Sequence, residues 1–282
     1  MNTFFELEPD YVEFYKQALG FRTWVVGPVS FWVNKSVSEE IGVENYENEE
    51  NTVELMEWLN SKELNSVLYV CFGSSTKFWS AQLAEIAGGL EDSGHQFVWV
   101  VGKVIDSGGD HGQPFDGIEE FEERMKQSKR GLIVRTWAPQ QQILNHPAVG
   151  GFITHCGWNS ILEGVCGGRP MVAWPSSAEQ FFNEKLITEV LKIGVSVGAK
   201  KARGLMNLEA VAIVGRDEIA KAVSFLMGDE EEAVGMRNRV REMAVAAERA
   251  TNSGGSSHTS LLSLIHELKM MKLKRQANEL HA

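Results

Sequence analysis

Cysteine is scarce in this sequence: three residues in 282, at Cys71, Cys156 and Cys166, with no Cys-x-x-Cys spacing. An odd, scattered set excludes a disulfide framework and a structural zinc site, and reads as reduced intracellular thiols. No Asp-x-Asp occurs, and the one dense acidic run, 229–232, falls between candidate helices, so no metal is expected to hold a diphosphate. No Gly-x-Gly-x-x-Gly follows a candidate strand, which removes the dinucleotide fingerprint of a dehydrogenase. No apolar run approaches the roughly 20 residues of a membrane span, and no signal-peptide pattern follows Met1, so a cytoplasmic protein is expected. Basic charge is short too. Lys and Arg number 27 against 38 Asp and Glu, a net charge of −11, which argues against nucleic acid and anionic membrane as partners. An anionic ligand must then be captured by local groups.

What is present is a regular alternation. The apolar runs 67–72 (VLYVCF), 96–101 (QFVWVV), 132–135 (LIVR), 151–154, 171–174 and 194–197 read as strands, with helical spacing between them, as at 81–90. Unbroken β-branched runs separated by helices predict an α/β fold, a Rossmann-like parallel sheet flanked by helices on both faces. Before the sheet, Gly27-Pro28 marks a turn, 35–51 reads as an exposed acidic loop, and a short helix carries Leu55, Met56, Trp58 and Leu59. The Gly/Asp-rich segment 108–117 reads as a surface loop. Three helices are expected at the end, 217–227 with Asp217 as N-cap, 230–250 and 257–274, the last two separated by SGGSSHTS. The basic cluster Lys269, Lys272, Lys274 and Arg275 is a solvated face.

One run concentrates the polar chemistry: 137–180, WAPQQQILNHPAVGGFITHCGWNSILEGVCGGRPMVAWPSSAEQ. Its order is short helix, strand, turn, helix, strand, helix, and loops after consecutive parallel strands open on one sheet edge. His155 ends a strand just before Gly157 turns the chain, and Asn159 or Ser160 begins a helix whose N-terminus suits an anion. Ser74 follows Gly73 after the first long strand, where backbone and hydroxyl can meet phosphate oxygens. Trp137 can stack a base. Glu163, one turn into the helix, can accept from adjacent ribose hydroxyls. Glu179 and Gln180 pair an acid with an amide, a way to grip vicinal sugar hydroxyls. A Cys-His nucleophile is rejected, because neighbours on an extended strand face opposite ways and Cys166 follows a core pattern.

With its opening W-A-P-Q, central H-C-G-W-N-S, the Glu three residues later and closing A-E-Q, this run resembles the signature of plant secondary-product UDP-glycosyltransferases, family 1. The resemblance extends to YVCFGSSTKF and, more weakly, to most of the chain. It implies a GT-B architecture of which this chain supplies the C-terminal, donor-binding half, with a UDP-sugar bound and no cofactor or metal ion required. By matching positions, Trp137, Ala138 and Gln140 meet the base and Glu163 the ribose. His155, Asn159, Ser160 and Ser74 meet the diphosphate, and Trp158, Glu179 and Gln180 the sugar. Gln180 is associated with glucose as donor. Ser176-Ser177 departs from the bulkier residues frequent there.

The resemblance further implies an inverting enzyme acting on hydroxyls of small plant metabolites such as flavonoids or triterpenoids. It divides the chain into 1–26, the end of an N-terminal acceptor domain; 27–51, linker and acidic loop; 52–252, the UDP-sugar-binding domain; and 253–282, a helix crossing back to the acceptor domain. The apolar stripe Leu261, Leu264, Ile265 and Leu268 on that helix is expected to be partly uncovered, giving a mobile tail or a dimer. The family's catalytic His and its Asp lie in the acceptor domain, and none of the seven histidines here replaces that His, so no catalytic residue is assigned and the chain alone is expected to be inactive. The alternative is a non-catalytic nucleotide-sugar-binding module acting with a partner.

Overall fold

The computed structural model describes residues 1–20, 22–32, 49–101, 103–105, 116–200 and 213–280. Most of the loops expected at 35–51 and 108–117 fall outside them, although Glu49 already opens a helix, Glu49–Asn60. Numbered along the chain, the strands are β1 (Val67–Cys71), β2 (Lys77–Trp79), β3 (Gln96–Val100), β4 (Lys103–Ile105), β5 (Gly131–Val134), β6 (Val149–Thr154), β7 (Met171–Ala173) and β8 (Gly194–Ser196). Six of them form one parallel sheet in the order β5-β3-β1-β6-β7-β8, while β2 and β4 pair separately, also in parallel.

Helices cover both faces of the sheet. Leu68 and Val70 of β1, Trp99 of β3, Ile153 of β6 and Val172 of β7 share one core with Leu83, Ile86 and Leu90 of helix Ser80–Asp92 and Ile219, Val223 and Leu226 of helix Arg216–Met227. The alternate positions Tyr69 and Phe152 stack at 5.3 Å between ring centroids. Phe152 lies toward helix Trp158–Cys166, whose Gly164 leaves room for its ring. Both parities of a strand are thus buried, and that is why the strands read as unbroken apolar runs instead of alternating ones.

Helix Arg216–Met227 begins one residue before the expected start, and its N-cap is Gly215, not Asp217, which sits in the first turn. The reason is tertiary: Glu85 of helix Ser80–Asp92 accepts from the Arg216 N–H at 2.7 Å, so a neighbouring helix does the work of a local cap. Helix Ile118–Gln127, with Ile118, Phe121 and Met125 buried, and helix Pro9–Leu19 were not anticipated.

The chain divides into two compact units, Asn45–Arg241 and a second formed by Met1–Glu44 with Glu242–Ala282. The first contains the parallel sheet. In the second, Ser257 Oγ donates to Gly27 O at 2.6 Å, the Val25 N–H donates to Ser260 Oγ at 3.0 Å, and Arg22 pairs with Glu267 at 2.6 Å. Along helix Ser256–Leu280, Leu261 and Leu264 are half-buried, whereas Ile265 and Leu268 are exposed. Among the described residues no helix is long and apolar enough to cross a membrane.

Candidate functional site

Counting only strands of the main sheet, the order is 3-2-1-4-5-6, so the chain leaves β1 toward one edge of the sheet and β6 toward the other. Loops that diverge at such a switch point leave a crevice beyond the carboxyl ends of the two central strands. The loops after β1 and β6 are those that carry Ser74 and His155.

β6 ends at Thr154, and three residues then turn the chain into helix Trp158–Cys166 with Gly157 as its N-cap. Cys156 takes a left-handed φ of 62°. It is therefore not an extended neighbour of His155, and the opposite-face argument against a Cys-His pair does not apply. The thiol is instead inert for another reason: Cys156 Sγ donates to Thr154 O at 3.7 Å, and burial pushes its pKa up. Burial likewise raises Cys166 to about 12. No side chain caps the helix at Gly157, and the ladder starts with the Ile161 N–H donating to Gly157 O at 3.0 Å. The positive end of the helix dipole therefore opens toward the loop that holds His155.

The His155 imidazole lies between two glycines. A Cβ on Gly73 would stand 2.7 Å from His155 Cε1, and one on Gly157 would stand 2.5 Å from Nε2. Gly73 also needs its left-handed φ of 73°, so it serves both the turn and the close approach. Burial pulls the His155 pKa below the ordinary value, while the charge of Glu179 pulls the other way. Nδ1 is sealed from solvent without a partner among the described residues, so only Nε2 can meet a ligand.

A second cluster hangs on the same helix. Gln140, at the start of helix Gln140–Asn145, donates through Nε2 to Glu163 Oε2 and, at 3.1 Å, to Ser160 Oγ. Gln141 Nε2 reaches Glu163 Oε1 at 3.3 Å. Glu163 is thus held by two amides, and none of the ion pairs of the described residues involves it. Because a carboxylate only accepts, the Gln140 amide must turn its nitrogen to Glu163, which leaves Oε1 for the Tyr69 hydroxyl at 3.4 Å. Ala138 is buried and its carbonyl accepts from the Gln140 N–H at 2.8 Å, whereas Trp137 beside it is 65% exposed and is not a core anchor.

The remaining expected residues lie on the same unit. Ser74 is exposed beside Gly73, Trp158 is half-buried and Asn159 exposed in the first turn of helix Trp158–Cys166, and Glu179 is exposed as N-cap of helix Gln180–Lys185. Asn183 of that helix donates to Cys156 O at 2.9 Å, tying it to the His155 loop. Phe72, Phe78 and Trp174 pack edge-on, with the Phe78 and Trp174 ring centroids 4.7 and 5.3 Å from that of Phe72, which anchors the loops after β1 and β7 together. Sequence reasoning missed Tyr69, Gln141 and Asn183. Tyr69 stands in an apolar run that gives its hydroxyl no mark, and Gln141 is one of three consecutive glutamines. Among the described residues no group of three or more His, Cys, Asp or Glu could hold a metal ion. A cavity of about 640 Å³ lies elsewhere, along β5, lined by Leu55, Trp58, Lys62 and Lys129 among others, and includes none of the candidate residues.

Residues 21–226 match the family model described as UDP-glucoronosyl and UDP-glucosyl transferase. The chain is 49% identical over 278 residues to the soyasapogenol B glucuronide galactosyltransferase of Glycine max, an alignment covering 99% of this chain and 55% of that protein. Its structure resembles Glycyrrhiza uralensis UGT73P12 complexed with glycyrrhetinic acid 3-O-monoglucuronide, with TM-score 0.87 and 46% identity, covering 99% of this chain and 55% of the other. It also resembles Medicago truncatula UGT71G1 complexed with UDP-glucose, with TM-score 0.76 and 31% identity, covering 94% and 53%. The chain spans about half the length of the curated relatives it matches.

Proposed function

Because the chain belongs to the UDP-glycosyltransferase family and its sheet is the Rossmann-like part of a GT-B fold, we propose that the crevice between β1 and β6 is a donor site for a UDP-sugar, UDP-glucose first. The observation that carries the reading is the convergence of the β1 and β6 loops on the His155 ring, beside an uncapped helix N-terminus. On it, His155 Nε2, Ser74 and the first turn of the helix, with Asn159 and Ser160, hold the diphosphate. Glu163 takes the ribose hydroxyls, Trp137 and Ala138 the uracil, and Trp158, Glu179 and Gln180 the sugar. Gln140, spent on Glu163 and Ser160, acts on the nucleoside by holding Glu163 in place.

The reaction this site serves is inverting transfer to a hydroxyl of a small plant metabolite, such as a flavonoid or triterpenoid, with the departing UDP stabilised by the helix N-terminus and His155. The acceptor hydroxyl needs a base. His146 is engaged with Asn60 and with the Ala148 N–H, and His155 faces the leaving group, so neither serves. The family resemblance places that base, a His, in an N-terminal acceptor domain, whose end residues 1–26 form on this reading and to which helix 253–282 crosses back. The chain of Met1 to Ala282 is then expected to bind UDP and UDP-glucose in a cytoplasmic setting but to transfer no sugar by itself. Glucosylation of a flavonoid by the purified chain, followed by liquid chromatography, would overturn that part.

Titration calorimetry with UDP tests the site. Trp137→Leu removes the stacking face and should cost about tenfold in affinity, near the lower end of base–aromatic stacking energies. Unchanged affinity would take the base away from Trp137.

Proton linkage tests His155 separately. In the free chain burial holds the ring neutral at pH 7, its pKa below the ordinary value. A diphosphate against Nε2 favours the imidazolium, so the complex binds more protons than the free chain and UDP binding is accompanied by proton uptake below neutral pH. Calorimetry in buffers of different ionisation enthalpy should register that uptake in the parent and lose it in His155→Gln. Without ligand the sign reverses: stability present above the ordinary value of 6.5 is lost as pH falls below it, because the unfolded chain takes the proton the buried ring refuses.

A further inference from the structure

Gln180 does not turn freely. Its Oε1 accepts from the Ser176 N–H at 2.8 Å, from Ser176 Oγ at 2.9 Å and from the Ser177 N–H at 3.0 Å. Two of these partners are main-chain N–H groups, which only donate, so the amide atom that faces them is the oxygen and the usual two-fold ambiguity of a glutamine disappears. Three donors fill the lone-pair directions of that oxygen. What Gln180 has left for a ligand is its NH₂ group, two donors and no acceptor.

The loop that supplies the three donors is itself constrained. Trp174 is clamped edge-on by Phe72 and Phe78, Pro175 is buried, and Ala178 takes a left-handed φ of 50°, which lets the Gln180 N–H donate back to Ser177 O at 3.2 Å. A non-glycine residue in that region is strained, and the rest of the loop has to hold it there. Next to the locked amide stands Glu179, exposed and, when ionised, able only to accept. The site thus offers an acceptor-only and a donor-only group side by side. A hydroxyl can donate or accept, so two neighbouring hydroxyls satisfy the pair by placement, one within reach of Glu179 and the other within reach of Gln180, and the pair selects for where adjacent hydroxyls stand.

Resting on the donor-site reading, we propose that Ser176 is a specificity-determining positioning residue: the two main-chain N–H groups orient the Gln180 amide, and the Ser176 hydroxyl adds a third donor that narrows where the Gln180 NH₂ group stands beside the acceptor-only Glu179. The lock accounts for the small polar residue at 176, where the resemblance leads one to expect a bulkier one.

The test is calorimetry on the 282-residue chain with UDP, UDP-glucose and UDP-galactose, which differ in the sugar and in one carbinol configuration. The parent should prefer UDP-glucose over UDP-galactose. Ser176→Ala should cut that preference about three- to fivefold while changing UDP affinity less than twofold, and Ser176→Thr, which keeps a hydroxyl, should restore it. Thermal melting with UDP confirms that each variant is folded. A preference that is absent in the parent, or identical in parent and Ser176→Ala, overturns the lock as a determinant of specificity while leaving UDP binding in place. Failure of the parent to bind UDP at all overturns the donor-site reading, and this inference with it.

Discussion

Glu163→Ala is expected to weaken UDP binding about thirtyfold, or about 2 kcal/mol, the cost of removing a charged hydrogen-bond acceptor from a fixed position. The expectation rests on how the carboxylate is held. Gln140 and Gln141 approach it from one side, one amide to each oxygen, and Gln140 is steadied in turn by Tyr69 and Ser160. Each carboxylate oxygen has lone pairs to spare after one bond, so the remaining directions can serve a vicinal diol without any rearrangement. The substitution also leaves two amide nitrogens without their acceptor, a further loss in the free chain. A simple control separates ribose recognition from damage to the helix: with 2′,3′-dideoxy-UDP the parent and the variant should bind alike, because the groups that Glu163 would receive are missing. If the thirtyfold loss persists with the dideoxy analogue, Glu163 is a structural residue and the ribose contact lies elsewhere.

The strands of the main sheet and its parallel class, though not the strand order, were largely legible because the physics behind them is local. Runs such as VLYVCF and QFVWVV are apolar at both parities, which only a strand buried on both faces tolerates, and each is followed by a helix-length segment. The three-residue strands β2 and β4 were not legible, since so few residues show no period. Helix Ile118–Gln127 was legible in principle, with Ile118, Phe121 and Met125 at helical spacing, but four glutamates dilute the pattern and a Gly/Asp-rich segment precedes it. The cap of helix Arg216–Met227 was misjudged because Glu85, distant in sequence, satisfies the Arg216 N–H. At the site, the order of motif residues predicted which loops converge. It did not predict which polar atoms are already spent: Gln140 is committed to Glu163, and the Gln180 oxygen to Ser176 and Ser177. Such commitments depend on rotamers and on partners in other loops, and no spacing rule encodes them.

The largest effect on folding is expected from Arg169→Ala, about 3 kcal/mol of lost stability. Arg169 follows the left-handed turn at Gly168 and sends its guanidinium back under the end of helix Gln140–Asn145. Nε donates to Leu144 O at 2.6 Å, Nη1 to Val149 O at 2.5 Å and Nη2 to His146 O at 3.1 Å. These are carbonyls at and just beyond a helix C-terminus, where the ladder leaves acceptors over and the dipole favours a cation. Burial, with Arg241 nearby, lowers the Arg169 pKa to about 10, so it stays charged at neutral pH and all three bonds keep their ionic character. Truncation strands three carbonyls in a half-buried pocket, each costing about 1 kcal/mol or more when water cannot fully replace the donor. The consequence should reach the site, since the clip joins the helix that carries Gln140 and Gln141 to the segment that follows helix Trp158–Cys166 and its Glu163. Urea unfolding followed by far-UV circular dichroism measures the first effect, and UDP calorimetry well below the unfolding midpoint measures the second. Arg169→Lys keeps the charge but cannot span three carbonyls, and should recover less than half of the stability. Equal stability of the alanine variant and the parent would mean that water satisfies those carbonyls as well as the guanidinium does.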